Sequence, residues 1–307
     1  IPDPGWGSPI GNSLDHGVGY TMGPFRDHFG SHCGMEIVTA EGDLMRTGMG
    51  AVPNAESWQD YHYGAGPTVD GLFAQSNFGI VTKLGLWLMP EPECTMSVRV
   101  NLPRPDDIGW AIDELAELRR RNVIEHNFVF GNYLHDAAVY TQRSEWYQGT
   151  GAIPDEVSQR IIERYGIGWW SFRLALFGYA EAVGAHARVV RRALEPHLGK
   201  ELVFDTWHRG EPLEKSAAPR PNVLALQIVN WFGGRGGHIG FSPIIPRTGE
   251  AVLEYLRFYS ENLAAVSEGG TLRFQGPVFM TNWDRSLVAM IMFPIGRDKV
   301  MNAKMRA

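Results

Sequence analysis

Residues 70–83 have the sequence Asp-Gly-Leu-Phe-Ala-Gln-Ser-Asn-Phe-Gly-Ile-Val-Thr-Lys, in which a polar turn leads into a strand that begins near Gly79. A second polar turn with a glycine, Ser-Pro-Ile-Gly-Asn, occupies residues 8–12. Turns of this kind can direct several backbone N–H groups at a phosphate. An ordinary surface turn has the same composition, so the residues alone leave both interpretations open.

Strands and turns are predicted throughout the first ninety residues. Residues 35–39 and 44–47 flank the turn Ala-Glu-Gly-Asp and predict a β-hairpin. The strand at residues 79–89 ends before Pro90, and the sequence Pro-Glu-Pro-Glu that follows marks a domain boundary. We therefore expect one domain at residues 1–92 and another at residues 93–307.

The second part of the chain alternates between strand and helix patterns. Its helical segments have apolar residues on one face, as Ile108, Ile112 and Leu115 show in the first of them. This alternation predicts an α+β fold, in which a sheet is flanked by helices. Strands are predicted at residues 98–102, 127–133, 135–140, 169–177, 223–231, 239–244 and 287–293, and helices from residue 105 onward and at residues 154–165, 181–194 and 249–263.

The composition is that of an ordinary globular protein, with 307 residues of which 44% are hydrophobic and 20% charged. The net charge of −6 gives no basic surface for nucleic acid. No apolar run reaches the roughly 18 residues of a membrane span. The two cysteines, Cys33 and Cys94, are too few for a disulfide framework, so we expect reduced thiols in a cytoplasmic protein.

Several common site motifs are absent from the sequence. Residues 5–11 and 17–23 each miss the dinucleotide fingerprint G-x-G-x-x-G by one residue, and there is no Walker loop, H-E-x-x-H, C-x-x-C or G-x-S-x-G. Asp27, His28 and His32 suggest a metal cluster and, with it, a metal hydrolase. The glycines around them argue against the helix that would align the two histidines, so a polar network in a glycine-rich loop is the preferred interpretation and no metal is expected.

Residues 233–243 have the sequence Gly-Gly-Arg-Gly-Gly-His-Ile-Gly-Phe-Ser-Pro and follow an aromatic-rich strand pattern. The glycines remove side-chain bulk beside His238, so a large group can approach the backbone closely. This position suits attachment of the imidazole to a planar cofactor. A histidine that closes a flexible hairpin has the same pattern, and these residues do not separate the two interpretations.

Taken together, these segments resemble the flavin-dependent enzymes that oxidise 4-substituted phenols: vanillyl-alcohol oxidase, eugenol oxidase and the flavoprotein subunit of p-cresol methylhydroxylase. The resemblance extends over most of the chain and is densest in the first ninety residues. It is carried by Gly11–Asn12, Asp15–Thr21, Asp27–His28, Gly34–Val38, Gly42–Ala51, Asp70–Lys83 and His238–Ile244.

The resemblance implies a domain assignment and a covalent cofactor. Residues 1–92 would be the later half of an FAD-binding domain of the p-cresol methylhydroxylase type, and residues 93–307 most of the cap domain that binds substrate. His238 falls on the histidine that is bonded to the C8 methyl group of FAD in the oxidases. The p-cresol methylhydroxylase type uses a tyrosine elsewhere for this bond.

The resemblance also implies roles around the reacting atoms. Asp3 falls where the family has an aspartate close to flavin N5, and Tyr20 where it has an active-site tyrosine. Val18 would line the same wall of the substrate pocket, and Gly240 replaces a bulkier aromatic residue, which widens that pocket. The residues expected to contact FAD, besides His238, are Asp3, Ser8, Gly11, Asn12, Gly17, Gly79, Ile80 and Val81.

The activity that the resemblance implies is FAD-dependent oxidation of para-substituted phenols of the vanillyl alcohol or eugenol type. Hydride passes to flavin N5, which leaves a quinone methide, and dioxygen reoxidises the flavin to give hydrogen peroxide. The nearest alternative is a 4-alkylphenol hydroxylase that passes its electrons to a cytochrome. Another is a non-catalytic fragment without a complete site. The family further implies a homo-oligomer.

Both ends of the sequence suggest an internal piece of a longer protein. The chain begins at Ile1 with neither a methionine nor a signal peptide. The resemblance places the pyrophosphate-binding loop before Ile1 and the Tyr-Arg pair that binds the phenolate after Ala307. We therefore expect this piece alone to bind FAD poorly or not at all.

Overall fold

The computed structural model of the chain describes residues 5–149, 153–223, 229–231, 237–266, 277–295, 299 and 303. The chain divides into two compact units. Unit 1 consists of Ile1–Glu91 with Arg220–Val223, and unit 2 of Pro92–Pro219 with Leu224–Ala307. The change of unit after Glu91 lies within the proline-rich stretch at residues 90–93. The short return of residues 220–223 to unit 1 has no signal in the sequence.

Unit 1 contains a three-stranded antiparallel sheet in the order β2-β1-β3. Its strands are β1 (His32–Thr39), β2 (Leu44–Arg46) and β3 (Gly79–Leu86), and a short helix, α1 (Pro9–Leu14), precedes them. The predicted hairpin is confirmed, since Glu36 pairs with Arg46 and Val38 with Leu44.

The central strand β1 alternates between a buried apolar face and a charged row. Met35 and Ile37 are fully buried on one face, as expected for a strand with one face on the core. On the other face the Glu36 carboxylate accepts from Arg46 Nη2 at 2.8 Å and lies 3.0 Å from Lys83 Nζ. Hydrogen bonds from Lys83 and Arg46 hold the pKa of Glu36 below its ordinary value. This row fixes the register of all three strands.

Unit 2 is an α+β domain built on a large antiparallel sheet in the order β7-β4-β6-β5-β10-β11-β8, with β9 paired to β11. None of the helices described is long and apolar enough to cross a membrane. The strands are β4 (Cys94–Leu102), β5 (Val129–Asn132), β6 (Trp170–Gly178), β7 (Asp205–His208), β8 (Gly237–Phe241), β9 (Ile244–Pro246), β10 (Pro277–Met280) and β11 (Ser286–Ile295), and the helices are α2 (Asp107–Arg120), α3 (Tyr133–Ala137), α4 (Arg143–Trp146), α5 (Asp155–Tyr165), α6 (Ala180–Leu198) and α7 (Gly249–Val266).

The core of unit 2 lies between the sheet and the long helices α2, α6 and α7. Alternate residues of the strands, such as Val100, Leu174 and Ala289, belong to this core with Ile112 and Val252 of the helices. Successive residues of a strand point to opposite faces, so the sheet has a three-helix face and an opposite face. We call the opposite face the His238 face, because the side chain of His238 projects from it.

One strand prediction in unit 2 is wrong and another cannot be compared with the structure. Residues 135–140 were predicted as a strand, but residues 133–137 form α3, because the Asn132 side chain accepts from the backbone N–H groups of Leu134 and His135 and caps a helix there. The strand predicted at residues 223–231 lies largely outside the described residues. The strands β7 and β10, of four residues each, were not predicted from the sequence.

Candidate functional site

His238 lies on β8, the strand at one edge of the unit 2 sheet. It pairs with Pro294 of β11, and its side chain is exposed. The sequence predicted a strand only from residue 239, whereas β8 begins at Gly237 and includes the histidine. Because Leu287 and Ala289 of β11 face the three helices and directly paired residues share a face, His238 projects from the opposite face.

Gly240 follows His238 on the same face of β8, since side-chain positions repeat every two residues along a strand. A Cβ atom at Gly240 would have Ser242 Oγ at 3.9 Å and Met290 Sδ at 4.0 Å as its nearest neighbours, and one at Gly237 would have no atom within 4 Å. Among the described residues, no atom lies closer than 3.9 Å to a Cβ at Gly240, which leaves room for a ligand at that position.

An apolar strip continues the His238 face toward the middle of the sheet. Val278 of β10 is 1% exposed and packs against Val129, Val229 and Met290. Sequence reasoning missed this strip because the four-residue strand β10 gives no periodic signal long enough to assign. These neighbours cover Val278, so the strip is part of the packing on the His238 face of the sheet.

In unit 1 the polar segment at residues 8–12 begins a helix, where the sequence predicted a turn. The Ser8 hydroxyl accepts from Gly11 N at 3.2 Å and Pro9 occupies the first helical position, both of which favour a helix start. Ser8 and Gly11 are exposed and Asn12 is partly buried. The helix is only six residues long, so it does not by itself establish a phosphate site.

Asn12 and Gly17 belong to a polar network that closes the loop after α1. The Asn12 side-chain oxygen contacts His28 Nδ1, Gly17 N donates to Asn12 O at 2.8 Å, and Ser13 Oγ donates to His28 O at 2.7 Å. Burial lowers the pKa of His28 to about 4, so the ring is neutral at neutral pH. The loop around His28 thus has the polar network that the sequence favoured over a metal cluster.

We expect Gly17→Ala to destabilise the protein by about 1–2 kcal/mol. A Cβ atom at this position would lie 1.8 Å from Asn12 Nδ2, so Asn12 must move and its contact with His28 is lost. The measurement is the urea midpoint. Gly71→Ala is the matched control, because its Cβ would have no atom within 4 Å. In an Asn12→Ala background the penalty should disappear; an unchanged penalty there would contradict the explanation.

The second turn that the sequence suggested as a phosphate site is hydrogen-bonded to the end of α1. Gln75 N donates to Leu14 O at 3.0 Å and Gln75 Nε2 donates to Asp15 Oδ1 at 3.1 Å. The turn leads into β3, where Gly79, Ile80 and Val81 begin the strand. A Cβ atom at Gly79 would lie 2.5 Å from Ile37 Cγ2, so glycine allows this close strand approach, and Ile80 is 72% exposed.

The structure describes two of the three residues that are expected near the reacting atoms, Val18 and Tyr20. Val18 forms an isolated bridge with Asp27, and both Val18 and Tyr20 are partly buried. Gly19 N donates to Arg26 O at 2.8 Å, which fixes the backbone between them. Asp3 lies outside the described residues. Within unit 1, Ser8 caps α1, Gly11 and Asn12 lie in that helix, and Gly79, Ile80 and Val81 begin β3. Gly17, Val18 and Tyr20 lie in the segment that follows α1.

A buried charged cluster in unit 1 was not found from the sequence. His32 Nε2 lies 3.1 Å from Asp70 Oδ1, and the Thr47 hydroxyl donates to the same oxygen at 2.7 Å. His32 Nδ1 contacts the carbonyl of Phe29, so both ring nitrogens face acceptors. Burial favours the neutral ring, but the bonds to Asp70 and Phe29 outweigh it and raise the pKa of His32, while Asp70, against its own burial, has a lowered pKa. No group of three metal-ligating side chains is found in the described part of the chain.

Comparisons with known proteins identify relatives of the whole arrangement. The chain is 37% identical over 242 residues to the 4-cresol dehydrogenase (hydroxylating) flavoprotein subunit of Pseudomonas putida, which covers 77% of this chain and 46% of the relative. The structure of this chain matches that of p-cresol methylhydroxylase with substrate bound, at a TM-score of 0.82 and 30% identity. The match covers 97% of this chain and 57% of the other. The chain is a homologue of the flavoenzymes of the p-cresol methylhydroxylase and vanillyl-alcohol oxidase superfamily.

A further structural neighbour of the chain is a 4-ethylphenol oxidase from Gulosibacter chungangensis in complex with isoeugenol. It matches at a TM-score of 0.80 and 29% identity, over 96% of this chain and 56% of that chain. No model of a known protein family matches the chain. The predicted α+β class is confirmed, and the chain spans about half the length of the relatives it matches.

Proposed function

We propose that the complete protein oxidises para-substituted phenols with FAD, and that His238 is the covalent attachment point of the cofactor. The observation that carries the proposal is the exposed imidazole on edge strand β8, beside the open space at Gly240, in a homologue of phenol-oxidising flavoenzymes. FAD, when bound, supplies the hydride acceptor. The protein supplies orientation, charge and the exclusion of water.

The residues of this chain take complementary parts in the proposed reaction. The Tyr20 hydroxyl donates a hydrogen bond to the phenolate oxygen, which lowers the pKa of the substrate and favours loss of hydride from the para side chain. Asp3 stabilises positive character or accepts a proton beside the flavin. Val18 lines the substrate pocket in this proposal.

The proposed contacts to the rest of FAD lie in unit 1. The segment from Ser8 to Gly17 and the strand start at Gly79–Val81 contain glycines, which let a cofactor approach the backbone closely. The hydrogen bonds from Gln75 to Leu14 and Asp15 hold these two segments together. Their role in binding FAD is part of the proposal.

Dioxygen is the proposed electron acceptor, because a histidine linkage is the oxidase type. A cytochrome acceptor is the second candidate, favoured by the relative that is named a dehydrogenase. Oxygen consumption with one hydrogen peroxide per phenol oxidised supports the oxidase. Turnover that needs an added cytochrome and releases no peroxide supports the dehydrogenase. If neither acceptor supports turnover of 4-ethylphenol or vanillyl alcohol, the protein is the non-catalytic alternative.

The covalent cofactor has a direct test. The complete protein is precipitated with acid, and the absorbance spectra of the pellet and the supernatant are compared. The proposal expects a yellow pellet and a colourless supernatant. A yellow supernatant with a white pellet would show that FAD is held without a covalent bond, which would leave the phenol oxidation to be tested by turnover alone.

We expect Gly240→Phe to change substrate choice and to leave folding unchanged. The nearest atoms to a Cβ at this position are 3.9 Å away, so the free energy of unfolding should stay within about 0.5 kcal/mol of the parent. The ring would occupy the His238 face, and kcat/KM for a bulky phenol should fall about tenfold or more relative to 4-cresol. Gly240→Ala should give a smaller change in the same direction. An equal loss for both substrates would place Gly240 away from the substrate side chain.

A further inference from the structure

Unit 2 contains a cavity of about 530 Å³ that the proposed reaction does not use. It lies where the first residues of α2, α3, β6 and β10 meet the middle of α7. Its volume is in the range of pockets that bind small organic molecules, about 300–1,000 Å³. The walls are largely aromatic and aliphatic, formed by Tyr133, Leu134, Trp169, Trp170, Leu256 and Tyr259.

The cavity is built on the three-helix face of the sheet. Trp170 belongs to the core on that face and its ring lies 5.7 Å from that of Phe279. Helix α7 packs against the same face through Tyr255, whose hydroxyl donates to Ala289 O at 3.4 Å. His238 projects from the other face, so a ligand in the cavity is separated from it by the sheet itself.

The aromatic walls are held in place by interactions of their own. Trp170 Nε1 donates to Pro105 O at 2.7 Å, and the Tyr133 hydroxyl lies 2.6 Å from Ser158 Oγ. The rings of Tyr133 and Trp169 meet edge to face at 5.0 Å. Burial raises the pKa of Tyr133 to about 12, so its hydroxyl stays neutral. A preformed aromatic cavity of this kind favours a flat ring ligand, because little ordering is needed on binding.

Two charged side chains line the cavity. Arg257 of α7 is exposed and makes no ion pair with any carboxylate of the described residues. Asp106, at the start of α2, does not use its side chain to cap that helix. A guanidinium binds a carboxylate with paired hydrogen bonds, and a carboxylate accepts from a phenolic hydroxyl. The cavity therefore offers an anion site and a hydroxyl acceptor around an aromatic box.

We propose that this cavity is a binding site for a hydroxylated aromatic carboxylate, with the carboxylate on Arg257, the hydroxyl on Asp106 and the ring between the aromatic walls. The site goes beyond the proposed oxidation and does not depend on FAD. A ligand of this class is what further oxidation of a hydroxybenzaldehyde would give.

The test is isothermal titration of the full chain with 4-hydroxybenzoate and, separately, with phenol. We expect one site for 4-hydroxybenzoate. Arg257→Gln should weaken the binding of 4-hydroxybenzoate about tenfold or more and the binding of phenol less than threefold. Only the acid has a carboxylate that binds the guanidinium. Leu256→Trp should fill the cavity and abolish binding. Arg192→Gln, an exposed arginine on α6, is the matched control and should change nothing.

Several results would overturn the site. They are the absence of binding at millimolar 4-hydroxybenzoate, equal affinity in Arg257→Gln and the parent, or loss of binding in Gly240→Phe, which would move the ligand to the His238 face. Circular dichroism would show whether Leu256→Trp folds. If it does not fold, the affinities of 4-hydroxybenzoate and phenol for Arg257→Gln are sufficient to test the site. Failure of the oxidase proposal leaves this titration unaffected, since it measures binding and involves no turnover.

Discussion

His238→Ala in the complete protein should leave no flavin in the acid-precipitated pellet. His238 would hold the cofactor through its C8 methyl group, and its side chain lies exposed on β8 beside Gly240. Alanine keeps the strand pairing with Pro294, which uses backbone atoms only. We expect a complete loss of covalent flavin and a fall in kcat of about tenfold or more, equivalent to about 1.4 kcal/mol in the barrier, because a covalent bond at C8 raises the flavin potential.

The matched control is His208→Ala. His208 is also exposed and lies on β7, the strand at the opposite edge of the same sheet. This variant should keep its yellow pellet and full turnover. A yellow pellet from His238→Ala would instead place the covalent bond on another residue. Loss of covalent flavin with unchanged kcat would mean that the bond anchors the cofactor without tuning it.

Local patterns in the sequence were enough to predict much of the framework. The hairpin of β1 and β2 follows from two short apolar runs around a Glu-Gly-Asp turn, and it forms in the structure with Glu36 opposite Arg46. The helix α2 follows from apolar residues at helical spacing, which are now buried in the core. In these segments local propensity and burial favour the same structure.

The elements that the sequence did not predict are short and depend on contacts distant in the chain. Strand β10 has four residues and exists because it pairs with both β5 and β11. Residues 135–140 contain enough Val and Tyr for a strand, yet Asn132 caps a helix over 133–137. A single side chain that accepts two backbone N–H groups outweighs a weak strand propensity.

The sequence predicted some residues of the candidate site and missed others, for a similar reason. His238 stands out because its neighbours in sequence are glycines, and the structure adds that it lies within an edge strand. Asp70 gave no signal, since its partners His32 and Thr47 are 38 and 23 residues away in sequence. The sequence suggested a polar network or a metal cluster around His32 and did not identify Asp70 as its partner. Its ring nitrogens are instead directed at Asp70 and at the Phe29 carbonyl.

Asp70→Ala should destabilise the protein by about 3–5 kcal/mol, the usual cost of removing one partner from a buried ion pair. The side chains of His32 and Asp70 are 2% and 5% exposed, so water cannot replace the lost carboxylate. Thr47 would lose its acceptor at the same time. The measurement is the urea midpoint at pH 6, with Asp43→Ala as the control, because Asp43 is an exposed residue of the β1–β2 turn. A loss below about 1 kcal/mol would show that the pair contributes no more than a surface pair.

The pH dependence of this loss identifies its origin. Because the folded-state pKa of His32 is raised above 6.5, its contribution is fully present below pH 6.5 and is lost as the pH rises through the raised value. The lowered pKa of Asp70 works in the opposite direction, so its contribution is present above 3.8 and is lost as the pH falls through the lower folded value. The penalty of Asp70→Ala should therefore be largest between these limits and smaller once the pH has risen through the raised pKa of His32, because the neutral ring tolerates the missing carboxylate. An equal penalty below and above that pKa would mean that Asp70 acts through Thr47 rather than through the charge on His32.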